Sequence, residues 1–340
     1  MSIDYICRRC RCELTGLSPI EVVEAAYRLD GTDLEWLRGL GKAVRPLLDG
    51  DRGLLCYLID AASEPAEQFA RRVVFDVSPE DVELAEQLLA KNIRMTAAFH
   101  DVPPSLDASA VASYRAVGRG QVDDRILDAY SRLGVADFSA FRTVEPGPLS
   151  VAFVAGQRIE RQFDAETIAR WARVAAHVAA GRRLRITSAT DFEAVVSTAG
   201  RIEHAVGEAA SRAGRVALRE AMERQEHARS PAGRRDDDRA LAAWTPLVAG
   251  RWSLVDQFER SGLRYLVARP NEHGLAEPRT LAPRERTLAH LSALGKSNLL
   301  IAYELGIAET TVATHLGGVM KKLGATSRIE LRRRLLELLA

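Results

Sequence analysis

Beyond residue 280 the apolar residues follow a helical period. Leu288, Leu291 and Leu294 recur in three-residue steps, and Pro283 suits a first helical position, where its missing N–H would be unpaired anyway. The spacing predicts a helix from Pro283 to about Gly295. Ser297 then offers an N-cap to a helix of about three turns, with Leu300, Ile301 and Leu305 on its apolar face and Gly306 as its left-handed end. A third helix opens with Glu309, Thr310 and Thr311, keeps Val312, Leu316, Val319 and Leu323 on one side, and stops at Gly324. Ser327 caps a fourth, whose Ile329, Leu331, Leu335, Leu336, Leu338 and Leu339 alternate with the polar run Arg332 to Arg334. Two helices joined by a tight glycine turn, the second opening on small hydroxyl residues, describe a helix-turn-helix.

Upstream the period changes between two and 3.6. Helices are predicted at 18–30 and 33–48, strands at 53–60 and 69–77, and a helix at 79–92 begun by Ser78. A helix at 123–133 follows, then strands at 136–144 and 149–155 around the turn Pro146-Gly147-Pro148, then a long helix from Asp164 to about Leu184. From Thr190 a strand, turn and strand lead into a helix ending near Gln225, and strands at 247–255 and 262–268 close the pattern. Between them Ser230 to Arg239 is expected as a mobile polar loop with self-compensating charge. The fold class is therefore α+β and multidomain: antiparallel sheets framed by helices, then an all-α four-helix unit. The expected organisation is a tail at 1–17, domains at 18–187 and 188–269, a linker rich in Pro, Gly, Asn and Glu at 270–280, and the helical domain at 281–340.

Charge sharpens this division. The 340 residues carry 47 Lys+Arg and 46 Asp+Glu. Residues 281–340 hold nine basic and five acidic side chains, net +4, and the rest is net −3. A small basic module on a mildly acidic body suits nucleic-acid contact at one end. The longest apolar runs are far too short to span a bilayer, and the basic N-terminus has no apolar stretch behind it, so no membrane partner and a cytoplasmic location are expected. Cys7, Cys10 and Cys12 lack a fourth ligand at zinc spacing, and the histidines at 100, 177, 204, 227 and 273 lack ligand spacing. His177, among alanines on an amphipathic helix, is expected to be packed or solvated rather than a ligand. No catalytic motif is present, so neither an enzyme nor a cofactor is expected.

Leu281, Pro283-Arg284-Glu285, Gly295-Lys296-Ser297-Asn298, Ile301-Ala302, Leu305-Gly306-Ile307, Thr311-Val312, His315, Lys322-Leu323-Gly324 and Ser327-Arg328 resemble the LuxR-type (GerE-like) DNA-binding domain. The resemblance implies a transcriptional regulator whose third helix enters the major groove of double-stranded DNA. The residues it assigns to DNA are Lys296, Ser297, Asn298, Glu309, Thr310, Thr311, Ala313, Thr314, His315, Gly317, Gly318, Lys321, Lys322 and Arg328. Ile329, Leu335, Leu336, Leu338 and Leu339 are assigned to a homodimer surface. The order of elements before it is similar to a GAF-type sensor followed by a degenerate PAS-type module, which implies a small-molecule ligand or partner there. The chain departs from the family's usual pattern at Leu299 and Leu300, where polar residues are usual, at Ala308 in place of Ser, and at Ala313 in place of Lys. Gly317-Gly318 also weakens the third helix. Ala313 and the Gly317-Gly318 pair favour an alternative, an interaction or dimerisation protein whose helix-turn-helix has lost strong DNA binding.

Overall fold

The computed structural model describes residues 18–48, 51–60, 69–82, 111–113, 131, 134–143, 149–159, 163–186, 192–260, 262–271 and 281–339. The predicted tail, the cysteines at 7, 10 and 12, the predicted helix at 123–133 apart from residue 131, and most of the predicted linker lie outside these residues.

The first sheet is antiparallel, with strands β1 (Asp51–Asp60), β2 (Arg71–Phe75), β3 (Val111–Ser113), β4 (Asp137–Arg142) and β5 (Leu149–Gln157) in the order β2-β1-β5-β4-β3. Alternation along β1 splits its side chains between two apolar layers. Leu54, Cys56 and Leu58 join Val73, Phe141, Val151, Phe153 and Ala155 on one face, beneath the helices. Leu55, Tyr57 and Ile59 join Phe69, Val82 and Ala152 on the other. Burial in the first layer pushes the Cys56 thiol far above its ordinary range.

Helices α2 (Asp33–Leu48) and α3 (Ala165–Ile186) pack on that first face, where Trp171 of α3 meets Phe141 at 4.8 Å between ring centroids, and α1 (Ile20–Ala26) packs against both helices. Gly181 lets α1 and α3 touch: a Cβ there would lie 2.2 Å from the Ala26 carbonyl oxygen. A second antiparallel sheet orders β6 (Ala194–Ser197), β7 (Ile202–Ala205), β8 (Trp252–Arg260) and β9 (Leu263–Pro270) as β7-β6-β9-β8. Helices α4 (Arg212–Arg229), α5 (Asp237–Trp244) and α6 (Pro246–Ala249) accompany it, and one apolar cluster runs from Ile20 through both sheets to Ala268.

Most boundaries fall within a few residues of the sequence pattern. At 79–82 the predicted helix begins as expected, with the Ser78 hydroxyl accepting the Asp81 N–H at 3.1 Å, and the rest of it lies outside the described residues. Three segments differ, the first being strand β3 (Val111–Ser113), which the sequence pattern does not predict. Residues 247–249 are helical, and strand β8 starts only at Trp252. The stretch 230–239 is not a mobile polar loop. It forms a 3₁₀ turn at 233–235 and the start of α5, capped by Asp236, whose carboxylate accepts the backbone N–H groups of Asp238 and Arg239 at 3.1 Å. Arg239 pairs with Asp236 inside the segment at 3.5 Å, while other charges pair outside it: Asp238 with Arg170 at 3.0 Å and Arg173 at 2.5 Å, and Arg234 with Glu24 at 2.6 Å.

Four helices complete the chain: α7 (Pro283–Ala293), α8 (Asn298–Leu305), α9 (Glu309–Leu323) and α10 (Arg328–Leu339). They bury their own core of Leu281, Leu288, Leu291, Ile301, Val312, Leu316, Val319, Leu331 and Leu335. Among the described residues no helix is long and apolar enough to cross a membrane.

Candidate nucleic-acid interface

The helix-turn-helix is built by local rules. Ser297 caps α8 by accepting the Leu300 N–H at 3.2 Å, and Gly306, at φ 63°, ends it in the left-handed conformation open to glycine. The Ile307 N–H then reaches back to the Ala302 carbonyl at 3.1 Å, closing the turn before α9. At the other end of α9, Gly324 adopts φ 65°.

Helix α9 is two-faced. Val312, Leu316 and Val319 are buried, whereas Glu309, Thr310, Ala313, Thr314, His315, Gly317, Lys321 and Lys322 are exposed, and Thr311 and Gly318 are half-buried. Positions 310, 314, 317 and 321 follow the helical period and form one outward stripe. Ala308 supplies no side-chain cap to α9, and a helix N-terminus of this kind favours negative charge. The Thr314 hydroxyl donates to the Thr310 carbonyl at 2.9 Å, which leaves its lone pairs facing out. A Cβ added at Gly317 or Gly318 would meet nothing within 4 Å. Gly317→Ala should therefore raise the stability of the domain by about 0.5–1 kcal/mol. Thermal melting of the full chain tests this, and a lowered melting temperature would show a constraint that the open surface does not reveal.

Three other residues assigned to DNA by the sequence make contacts within the domain, and only Lys296 is buried. Lys296 is only 2% exposed, and its ammonium donates to both carboxylate oxygens of buried Glu304, at 2.8 and 3.0 Å. Burial of an ammonium needs a buried counter-charge, and Glu304 of α8 supplies it eight residues on. Arg328 donates to the Lys296 carbonyl at 3.1 Å and to the Asn298 side-chain oxygen, tying the start of α10 to the α7–α8 turn. Lys322 bonds both Glu285 oxygens, at 2.7 and 2.6 Å. That ammonium, together with the Ala282 N–H, holds the Glu285 carboxyl below the usual range. Lys322 is still exposed, so its charge stays near the α9 surface while its donors are engaged. Lys321 has no carboxylate within ion-pair distance among the described residues.

Of the expected dimer residues, Ile329 is 74% exposed, while Leu335 is 2% exposed and belongs to the domain's own core, because its face of α10 is the one covered by α7. The side chains of Leu336, Leu338 and Leu339 lie outside the described residues.

The outer side of α8 carries contacts that sequence reasoning missed. Leu300 is 3% exposed and packs on Ala172 of α3, beside Ile168 and Tyr303. Tyr303 hydrogen-bonds Nε2 of His177 at 2.9 Å and donates to the Leu241 carbonyl at 2.8 Å, with the Arg173 guanidinium 5.9 Å from its ring centroid. The available signal was apolar residues where the family's usual pattern is polar. At Leu300 that departure is explained by contact with the body, whereas Leu299 is 61% exposed.

The comparisons with known proteins agree with this geometry over its C-terminal part. The family model for bacterial regulatory proteins of the luxR family matches residues 279–335. Nodulation protein W of Bradyrhizobium diazoefficiens is 48% identical over 54 residues, 16% of this chain and 24% of that protein, so the match spans about a quarter of the relative's length. A crystal structure of Escherichia coli SdiA aligns over 94% of this chain and 95% of that one at 12% identity, with a TM-score of 0.29, a likeness too slight to bear on the fold. Residues 279–335 are a LuxR-type helix-turn-helix domain, the DNA-binding module of bacterial regulators.

Proposed function

We propose that the chain is a sequence-specific transcriptional regulator that binds a two-fold operator as a homodimer, with α9 in the major groove. The observation that carries this reading is the outward stripe of α9, polar and unobstructed, on a domain matched by the luxR family model. Thr310, Thr314, Gly317 and Lys321, with the first-turn amides, form the contact surface, and Lys322 adds charge beside it. Ser297 and Asn298 lie at the start of α8, where they serve as cap and as partner of Arg328. Exposed Ile329 on α10 belongs to the two-fold contact. Residues 18–187 act as a GAF-like and 188–269 as a degenerate PAS-like sensory or dimerisation part, each supported by an antiparallel sheet framed by helices. A signal or small ligand there biases the arrangement of two helix-turn-helix domains across two half-sites. Such a protein works in the cytoplasm, at the nucleoid when bound.

The test is selection of fragments from the host genome by the full-length protein at two salt concentrations, beside Lys321→Ala. Selective enrichment that weakens with salt, and a salt slope reduced by about one in the variant, is the expected result. Enrichment at neither salt would replace this reading by that of an interaction protein, which Ala313 and the Gly317-Gly318 pair favour.

A further inference from the structure

Two hydrogen bonds cross the junction between the body and α8, and a third continues them into the body. The Tyr27 hydroxyl lies 3.0 Å from Nδ1 of His177, Nε2 of His177 lies 2.9 Å from the Tyr303 hydroxyl, and that hydroxyl donates to the Leu241 carbonyl at 2.8 Å. The proton inventory admits one arrangement. A tyrosine hydroxyl has a single proton, and Tyr303 gives its own to Leu241, so it accepts from Nε2–H. His177 is therefore the Nε2–H tautomer, its Nδ1 is an acceptor, and Tyr27 donates to it. Each donor and acceptor in the row is satisfied, in a site where His177 is fully buried. The row links α1, α3, α8 and α5, and Leu300 against Ala172 adds an apolar contact beside it.

We propose that Tyr303 and His177 are positioning residues for DNA recognition: their hydrogen bond, continued to Tyr27 and to the Leu241 carbonyl, latches α8 to the body with the recognition stripe of α9 facing outward. This rests on the DNA-binding reading above. The latch uses the side of α8 turned toward α3, whereas Thr310, Thr314, Gly317 and Lys321 remain exposed in the latched state. Docking therefore orients the recognition helix without covering it. In a dimer of bodies, two latched domains present two recognition helices at one fixed spacing, and unlatched domains sample many. The latch then governs binding to paired half-sites and leaves the contact to a single half-site alone.

Tyr303→Phe keeps the ring and removes the hydroxyl that joins His177 to Leu241. Leu300→Glu is the second variant, acting on the apolar contact with the natural hydroxyl in place. Dyes at Glu220→Cys on α4 and Arg284→Cys on α7, both exposed sites, with Cys7, Cys10 and Cys12 changed to serine, report the distance between body and helix-turn-helix by single-molecule energy transfer. The latch predicts one narrow distribution for the parent chain and a broad one for both variants. On fragments selected as above, it predicts that Tyr303→Phe lowers affinity for paired half-sites by about tenfold and leaves affinity for one half-site unchanged. An unchanged, narrow distribution in both variants overturns the latch. Equal losses on paired and single half-sites overturn the positioning role. Failure of the parent chain to select any DNA removes the DNA-binding reading, and the positioning role with it, while the energy-transfer distributions still decide whether the latch exists.

Discussion

Lys296→Met is expected to destabilise the helix-turn-helix domain by about 3–5 kcal/mol, because it strands the Glu304 carboxylate in a buried site. Glu304→Leu is expected to cost at least as much: it leaves the Lys296 ammonium buried and removes an anion whose field also reaches Arg183 of α3. Replacing both residues at once, Lys296→Met with Glu304→Leu, should recover most of the loss, since two apolar side chains of similar volume need no counter-charge. Hydrogen exchange of the α7–α9 amides in the full-length chain measures these differences where they arise. The double variant also separates two accounts of Lys296. If the lysine acts on DNA, the double variant binds as poorly as the single one. If it holds α8 to the α7–α8 turn, the double variant binds DNA like the parent, and this is the expected outcome. A single variant as stable as the parent would show that the pair contributes nothing and that Glu304 finds compensation elsewhere.

What the sequence made legible was local. The boundaries of α7, α8 and α9 follow from Pro283, Ser297, Gly306 and Gly324, whose preferences act within a turn of the residue itself, and from apolar residues at helical spacing. The same holds for α2, expected at 33–48 and observed at Asp33–Leu48. What stayed hidden depends on partners distant in the chain or on competing uses of one residue type. A lysine beside a serine cap is equally compatible with a phosphate and with a carboxylate, and only packing of α8 chooses Glu304. The run 230–239 looks self-compensating because it holds both signs of charge, yet Asp238 answers Arg170 and Arg173 more than sixty residues away. Its helix start was nonetheless present in the sequence, as Asp236 before Asp237-Asp238-Arg239-Ala240-Leu241, an N-cap with acids in the first turn. The apolar Leu300 and the aromatic Tyr303 on the outside of a DNA-binding unit were the visible trace of its contact with the body. The contact itself required α3, which carries Ala172 and His177, five residues apart, both meeting α8.

His177 should also make the stability of the body depend on pH between about 5 and 6.5. Burial, with a smaller contribution from the Arg173 guanidinium, lowers its proton affinity so that it titrates at about 3 in the folded chain, against an ordinary value of about 6.5. Between those values the unfolded chain holds a proton that the folded chain does not. Stability from this residue is therefore fully present above pH 6.5 and declines as pH falls below it. From pH 7 to pH 5 the loss is about 2 kcal/mol. The cause is structural: Nδ1 must stay bare to accept from Tyr27, and a protonated ring would turn two donors toward a site arranged for one. Half-buried His290, whose proton affinity burial also lowers, contributes in the same direction, so the comparison that isolates His177 is with His177→Asn. That variant starts less stable at pH 7, and its denaturation midpoint should fall less steeply than the parent's between pH 6.5 and 5. Parallel pH profiles for the two proteins would mean that the imidazole is not held neutral, and the single-proton account of the Tyr27–His177–Tyr303 row would fall with it. A neutral row across this range also means that a proton does not open the junction between body and DNA-binding domain near neutral pH, so whatever opens it must act on the packing around Leu300 and Tyr303 rather than on the charge of the histidine.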